Sequence, residues 1–302
     1  MKATARVSVV VPCYRPGHLI DGCLADLLAQ DLVDPYEIIV VESSGDGTAE
    51  RLHAAFPTIR VIAPPRRTLP AEAQNIGVAA AQGAFVAITN HDCRVPPGWL
   101  RSLLARHAAG DYAAVGGAVL NGTPRSLVGT AAYWSEFNEF TSGRPAGIAP
   151  GVPQCNVCFR RTALVGAAPF PTVRFGAEEL TFNYELTRAG GVFFFDPGVP
   201  VTHLNRTGLG AFLRHQRVLG TGSAMARRLV PLPGAVAARH PILIPLLVPL
   251  RIGRLLGRIA RRHPRELPRA VLLLPLLAAG YAAWAIGFRQ GASDPLDVRA
   301  PA

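Results

Sequence analysis

Two kinds of apolar pattern alternate along the N-terminal part of the chain. Short β-branched runs, Arg6-Val-Ser-Val-Val-Val-Pro12, Tyr36-Glu-Ile-Ile-Val-Val-Glu42, Ile59–Ile62 and Phe85–Ile88, read as strands of a buried sheet. Between them, apolar residues recur at helical spacing. Leu19, Cys23, Leu24, Leu27 and Leu28 make one such face, and further helices are expected over Ala49–Ala55 and Ala71–Gln82. Strand–helix alternation of this kind predicts an α/β fold with a mostly parallel sheet and right-handed crossovers. In such sheets ligands gather outside the carboxyl ends of the strands. Here those ends carry Pro12 to Arg15, Glu42 to Gly45, and Asn90 to Asp92.

The last of these corners, Thr89-Asn-His-Asp-Cys93, breaks a buried strand with a run of polar residues, and Pro96, Pro97 and Trp99 then restart the chain as a helix. A carboxylate at that point, Asp92, suits a divalent metal held against a diphosphate. It suits equally a turn residue or a helix cap. The loops match no common nucleotide fingerprint: no G-x-G-x-x-G follows the first strand, and no G-x-x-x-x-G-K-[ST] is present. A dinucleotide dehydrogenase and a P-loop enzyme are therefore disfavoured.

Four segments in order, Val7-Ser-Val-Val-Val-Pro-Cys-Tyr14, Glu37-Ile-Ile-Val-Val-Glu-Ser-Ser-Gly-Asp-Gly-Thr48, Ala73-Gln-Asn-Ile-Gly77 and Thr89-Asn-His-Asp92, resemble family 2 glycosyltransferases of the GT-A fold. The resemblance covers about residues 6–220. It implies a GT-A-type, Rossmann-like sheet flanked by helices and a nucleoside-diphosphate-sugar donor. By position, Pro12, Tyr14 and Glu42 would line the base and ribose pocket, Ser44 and Asp46 its loop, and Asn75 would face the nucleotide-sugar. Asn90-His91-Asp92 stands where the family carries D-x-D. Asp92 would bind Mg²⁺ or Mn²⁺ with the diphosphate, while Asn90 keeps hydrogen-bonding capacity and loses one charge. Glu42 replaces a more usual Asp.

Phe175-Gly-Ala-Glu-Glu-Leu-Thr-Phe-Asn-Tyr-Glu-Leu-Thr-Arg-Ala-Gly190 resembles the family's E-D motif, with Glu178 and Glu179 in the two acid positions and Glu179 as the implied catalytic base. On local grounds, two acids at a helix start also simply favour the helix dipole. His203, after Val192–Thr202, would complete the metal site by the same resemblance. Tyr133-Trp-Ser-Glu-Phe-Asn-Glu-Phe140 reads either as a packed helix or as an acceptor contact, and Arg160-Arg161 either as a site element or as a solvated helix start. Leu213–Val218 is a basic helix that could reach the leaving diphosphate.

Charge divides the chain. Residues 1–200 hold 16 Lys/Arg against 17 Asp/Glu, whereas residues 201–302 hold 15 Arg against 3 acids, which places the whole net charge of +11 at the C-terminal end. Arg251 to Arg269 carries an apolar stripe, Ile252, Leu255, Leu256 and Ile259, on a basic helix, the pattern of a helix on an anionic membrane surface. Ala270 to Phe288 runs uncharged for 19 residues and is expected to span or insert. A soluble helical subdomain is the alternative. No nucleic-acid module accompanies the charge, so nucleic acid is not an expected partner. Met1–Val11 has no long apolar core, so no secretory leader is expected. Five scattered cysteines suggest reduced thiols, and Cys155-x-x-Cys158 reads as packing rather than a zinc or redox site.

The sequence therefore predicts a GT-A domain over residues 1–228 and a helical membrane-association region over residues 229–302. The activity expected is metal-assisted, inverting sugar transfer, with UDP as the default nucleotide, to a hydroxyl acceptor that is lipid-linked or an envelope glycan. The expected location is the cytoplasmic face of the cell membrane. The rival is a non-catalytic, nucleotide-sugar-binding membrane scaffold, kept open by Asn90 and Glu179.

Overall fold

A computed structural model describes residues 5–166, 170–171 and 176–295; Phe175, at the head of the E-D-like segment, lies outside them. In chain order the N-terminal half runs β1 (Val7–Cys13), α1 (Leu19–Leu28), β2 (Tyr36–Glu42), α2 (Thr48–Ala55), β3 (Arg60–Ile62), α3 (Pro70–Ala80), β4 (Phe85–Thr89), β5 (Cys93–Arg94), α4 (Trp99–Ala108) and β6 (Ala114–Asn121). It continues with α5 (Leu127–Phe137), β7 (Gly147–Ala149), β8 (Asn156–Arg160), α6 (Arg161–Gly166), α7 (Glu178–Arg188) and β9 (Phe193–His203). The C-terminal helices are α8 (Leu209–Leu229), α9 (Ala235–Arg239), α10 (Ile244–Arg262), α11 (Leu267–Leu272) and α12 (Leu274–Ser293).

The strands form one sheet in the order β3-β2-β1-β4-β8-β6-β9-β5, with β7 paired to β9. β1, β2, β3 and β4 are mutually parallel, and β6 and β9 continue in the same direction. β5, β7 and β8 run the other way. The expectation of a mostly parallel α/β sheet is met, because β1 and its neighbours are apolar on both faces. Every residue of β1 is buried, and helices cover both sides. One core lies under α1, α4 and α5, and another under α3 and α7. Gly77 lets α3 close onto β1, since a Cβ there would collide with the Val10 side chain.

β8 is an antiparallel insertion, and Asn156 ties it to its neighbours. Its amide donates to Ala118 O at 3.0 Å and Val199 O at 2.8 Å, and its carbonyl oxygen accepts from Trp99 Nε1 at 2.8 Å. Arg160 ends β8, with its guanidinium donating to the carbonyls of Tyr112, His107 and Gly110, while Arg161 opens α6. All five cysteines are buried and free.

The C-terminal stretch departs from the expectation of a lipid-facing helix followed by a span. Leu255 and Ile259 of the apolar stripe are fully buried, and Ile252 and Leu256 pack against the same core that holds β1 and α1. That stripe therefore faces protein. Ala270–Phe288 is not one helix. The chain bends by 75° between Pro264–Leu272 and Leu274–Ser293, where Pro275 restarts it. Among the described residues no single helix is long and apolar enough to cross a membrane, and only this bent pair passes by length and composition. α12 lies along α8 through a glycine seam. Cβ atoms on Gly220, Gly287 and Gly291 would strike the backbone carbonyls of Trp284, Arg217 and Thr221, and Thr221 Oγ1 donates to Gly287 O at 3.1 Å. Small residues at this spacing bring the two backbones together, which accounts for the apolar, glycine-rich character of α12.

Candidate active site

The carboxyl ends of β1 and β4 open into a cavity of about 890 Å³. Pro12, Tyr14, Asn90 and Asp92 line it from these strands, and Glu178 and Glu179 line it from the start of α7. Tyr14 stands under Arg67, whose guanidinium lies 4.3 Å from the ring centroid. The pair makes a flat wall of the kind on which a nucleobase stacks.

The loop after β2 supports this wall from behind. Glu42 is 2 % exposed and accepts from Ser44 N at 2.8 Å and from the Ser44 hydroxyl. Ser44 Oγ in turn accepts from Arg15 N at 2.6 Å, which joins this loop to the one after β1. Ser43, rather than Glu42 or Ser44, reaches the cavity. Asp46 is solvent-exposed and turns back to accept from Thr48 N and Thr48 Oγ1 at the head of α2. That bond holds its carboxyl below the usual range.

Asn75 is placed away from the cavity, unlike the expectation. Its amide donates to Phe170 O at 2.8 Å and lines a separate small pocket with Val78 and Phe182. The preceding residue takes the wall. Gln74 is buried against the cavity and accepts from Gln154 Nε2 at 3.2 Å. One residue on a helix is a 100° rotation, which suffices to exchange the two faces.

A short ladder closes the metal-like corner. β5 pairs antiparallel with the end of β9, with Cys93 opposite His203, and Leu204 N donates to Asp92 O at 2.8 Å. Asp92 Oδ1 thereby lies 3.5 Å from His203 Nε2. Ligand atoms of Asp92, Cys93 and His203 all fall within 4.8 Å of one another. Two features fit a cation here. Asp92 Oδ1 is buried without a hydrogen-bond partner, and Nδ1 of His203 lies 3.0 Å from Asn205 Oδ1, an acceptor that fixes the proton there and leaves Nε2 for the corner. Burial pulls His203 down, but Asp92, Cys93 and Glu136 outweigh it and raise it overall. An imidazole with a carboxylate suits Mn²⁺ or Mg²⁺ only when hard oxygens, such as diphosphate, complete the shell.

The two glutamates differ. Glu178 is buried, and its Oε2 accepts from Gly176 N at 2.6 Å, so it closes the turn before the helix. Burial raises it to about 7. Glu179 projects into the cavity. Burial first, then the neighbouring Glu178 and Glu136, raise it to about 8, against the opposing N–H of Gln154. Glu136 lies in the aromatic segment that reads from sequence as a packed helix or an acceptor contact; the packing is observed, and part of the segment also reaches the cavity. Tyr133, Trp134 and Phe137 pack inward, while Glu136, Asn138 and Glu139 line the cavity. Glu136 meets His215 of α8 at 3.2 Å. Burial raises its carboxyl, but His215 and more distant cations overcome this and hold it at about 2. The pairing joins residues remote in sequence and has no local signature.

Part of the cavity wall is basic. Arg227 of α8 and Arg251, Arg254 and Arg258 of α10 line it together with Tyr281 and Trp284 of α12. The arginine-rich stretch read as a membrane face thus contributes one side to this cavity.

A family model described as Glycosyl transferase family 2 matches residues 8–165. Among curated relatives, the succinoglycan biosynthesis protein ExoO of Rhizobium meliloti is 34 % identical over 111 residues, 36 % of this chain and 32 % of that protein. The pre-mycofactocin glycosyltransferase of Mycobacterium tuberculosis is 28 % identical over 219 residues, 68 % of this chain and 43 % of that one. The chain therefore spans less than half the length of these curated relatives. Among solved structures, mannosyltransferase PcManGT from Pyrobaculum calidifontis, in complex with GDP-Man and Mn²⁺, aligns over 95 % of this chain and 88 % of its own at 22 % identity and TM-score 0.63. S. aureus TarS 1–349 in complex with UDP-GlcNAc aligns over 95 % and 92 % at 15 % identity and TM-score 0.53. At these identities the likeness is one of fold.

Proposed function

Because the chain belongs to glycosyl transferase family 2, we propose that it moves a sugar from a nucleoside diphosphate sugar to an acceptor hydroxyl, with inversion at the anomeric carbon. The observation that carries this reading is that Asp92, with its unpartnered buried oxygen, and Glu179, with its raised carboxyl, line the same cavity. Tyr14 and Arg67 bound the base, with Pro12 beside them. Glu42, Ser44 and Asp46 hold the loop that frames it, and Gln74 takes the donor-facing role expected of Asn75. Asn90 offers both a donor and an acceptor to a ribose or sugar hydroxyl. Asp92 and His203 would hold a divalent cation, which when bound would offset charge on the departing diphosphate. Glu179, once ionised, takes the acceptor's proton, and a carboxylate with a raised pKa is the stronger base for that transfer. Glu178 positions the helix start that aims it.

The acceptor is proposed to be lipid-linked or an envelope glycan, and the protein to work at the cytoplasmic face of the cell membrane. Ile242, Leu246, Leu250 and Leu272 are exposed apolar side chains on the C-terminal helices, beside their arginines, and support a membrane contact. Co-sedimentation with anionic but not neutral vesicles tests this.

Calorimetric titration of the full chain with UDP, GDP and dTDP, with and without Mn²⁺, tests the transferase reading. Binding of one nucleotide that needs Mn²⁺ and is lost in Asp92→Ala is expected. UDP leads as the family default; GDP is included because PcManGT is described with GDP-Man. Nucleotide binding with no transfer to any acceptor hydroxyl or water would favour the scaffold. No binding by folded protein would refute the donor site.

A further inference from the structure

The basic part of the cavity wall is over-supplied with charge. Arg251, Arg254 and Arg258 recur at i, i+3 and i+7 on α10, which puts them on one helical face, and Arg227 joins them from α8. Their partners among the described residues are few. Arg258 donates to Glu139 Oε1 and Asn138 Oδ1, each at 2.6 Å. Arg227 bonds only neutral oxygens, Ser223 O, Ser223 Oγ and Pro233 O, at 2.6–2.8 Å. Arg251 has no carboxylate. Its guanidinium stacks 4.2 Å from the Trp284 centroid and 4.8 Å from that of Tyr281, and its Nε is buried without a hydrogen-bond partner. Glu139 is thus the one described carboxylate ion-paired within the group of four.

A second observation lies on α8 about three turns before Arg227. Gln216 lines the cavity at 1 % exposure, and neither its amide nitrogen nor its oxygen has a partner. Buried polar atoms without partners are costly, and a guanidinium cannot shed its proton to escape. Burial lowers Arg227 to about 10 and lowers Arg251 as well, with repulsion between the arginines adding to both. Four guanidiniums with one carboxylate paired among them, beside the unpartnered Arg251 Nε and Gln216 amide, make a site suited to an anion.

We propose that Arg227, Arg251, Arg254 and Arg258, with Gln216, form an anion subsite that holds a phosphate group carried by the acceptor. The inference rests on the transferase reading and names the acceptor's chemistry. Phosphate fits better than a carboxylate because several guanidiniums line one cavity with a single carboxylate paired among them, and a phosphate monoester offers more charge and three equivalent oxygens to meet them. The acceptor is the better occupant than the donor. The nucleotide loops end β1, β2 and β4, whereas the arginines stand on helices that follow β9 in the chain. Glu179 lines the same cavity as both. A phosphate held among the arginines anchors an acceptor whose hydroxyl extends to the base.

The test uses the full chain in EDTA, so that metal-dependent nucleotide binding is silent. Glycerol 1-phosphate, phosphatidic acid vesicles and phosphatidylcholine vesicles are titrated by tryptophan fluorescence, with Trp284 under Arg251 as the reporter. Saturable binding of a phosphate monoester is expected, weakened about tenfold or more by Arg254→Ala. Arg254 is exposed at the rim, so its loss leaves the fold intact, and Arg251→Lys, which keeps charge but not the fork, is expected to weaken binding as well. Binding of vesicles alone assigns the phosphate to a lipid, and binding of both monoesters assigns it to the phosphate group itself. Equal binding by wild type and Arg254→Ala, or no monoester binding at all, overturns the subsite. Loss of Mn²⁺-dependent nucleotide binding in Arg254→Ala overturns it too, by giving the arginines to the donor. Arg254-dependent phosphate binding by a protein that binds no nucleotide would leave the subsite standing while the donor reading fell.

Discussion

Replacing Glu179 by Gln is expected to abolish transfer and to stabilise the protein. The Glu179 carboxyl is raised from its ordinary value of 4.5 to about 8, by burial first and then by Glu178 and Glu136. Between those two pH values the folded chain keeps a proton that the unfolded chain has released. Stability from this group therefore falls as pH rises from 4.5, and the loss is complete above about 8. Unscreened, a shift of that size is worth about 4–5 kcal/mol above pH 8 and about 3 kcal/mol at pH 7. Water in the cavity and coupling to Glu178 screen it, and about 2 kcal/mol is the working figure. For a chain of this size that is a rise in Tm of roughly 3–5 °C. Thermal melts of wild type and Glu179→Gln at pH 5, 7 and 8.5 read it directly. The two curves should meet near pH 5 and separate with rising pH, while Mn²⁺-dependent nucleotide binding stays in both. Transfer by the wild type should rise with pH toward about 8, since roughly a tenth of Glu179 is ionised at pH 7. Equal melting temperatures at pH 8.5, or retained transfer in Glu179→Gln, would sink the assignment.

Four further outcomes are expected. Asn205→Ala removes the acceptor that orients His203 and should weaken Mn²⁺-dependent nucleotide binding about 10- to 100-fold, measured by calorimetry; it also strips the amide's bonds to Asn121, Thr123 and His203 O, and should cost about 1–3 kcal/mol of stability. Gly287→Ala drives a Cβ into Arg217 O across the α8–α12 seam and should cost about 1–3 kcal/mol, read from denaturant unfolding. Gln74→Ala should weaken donor binding with little loss of stability. Asn75→Ala, which strips a bond from Phe170 O, should do the reverse by about 1 kcal/mol.

Much of this site was legible because strand ends are legible. β1, β2 and β4 announce themselves as β-branched runs, and the residue after each run marks a carboxyl end. That rule marks Pro12–Arg15, Glu42–Gly45 and Asn90–Asp92 as the place for a ligand, and each of these corners sends a residue to the cavity; the individual roles come from the family resemblance. What was not legible depends on pairing and on rotation. β5 is two residues long, too short for any period, yet its ladder with β9 sets Asp92 against His203. Gln74 and Asn75 are equally polar neighbours, and only the packing of α3 on β1 decides which faces the cavity. Glu136 and His215 meet across 79 residues of chain. The stripe on α10 was read correctly as apolar and helical, but periodicity cannot say whether such a face meets lipid or protein. Here the glycine seam of α12 on α8, together with the bend at Leu273, brings that face onto the core.

The direction in which α10 turns has a consequence for charge. With Leu255 and Ile259 pointing into the core, the adjoining arginine face is directed to the cavity instead of wholly to solvent. The cavity is then lined both by acids, Asp92, Glu136, Glu178 and Glu179, and by guanidiniums. No ion pair among the described residues joins Arg227, Arg251 or Arg254 to any of those four acids. A guanidinium close to Glu179 would drive its carboxyl down and make it a poor base. Burial first, then Glu178 and Glu136, raise it instead. Arg254→Glu, which carries a negative charge into the arginine group, should weaken phosphate binding while leaving the pH at which Glu179 ionises nearly unchanged. A large shift in the pH–rate profile of that variant would show that the acids and the arginines are electrostatically one site.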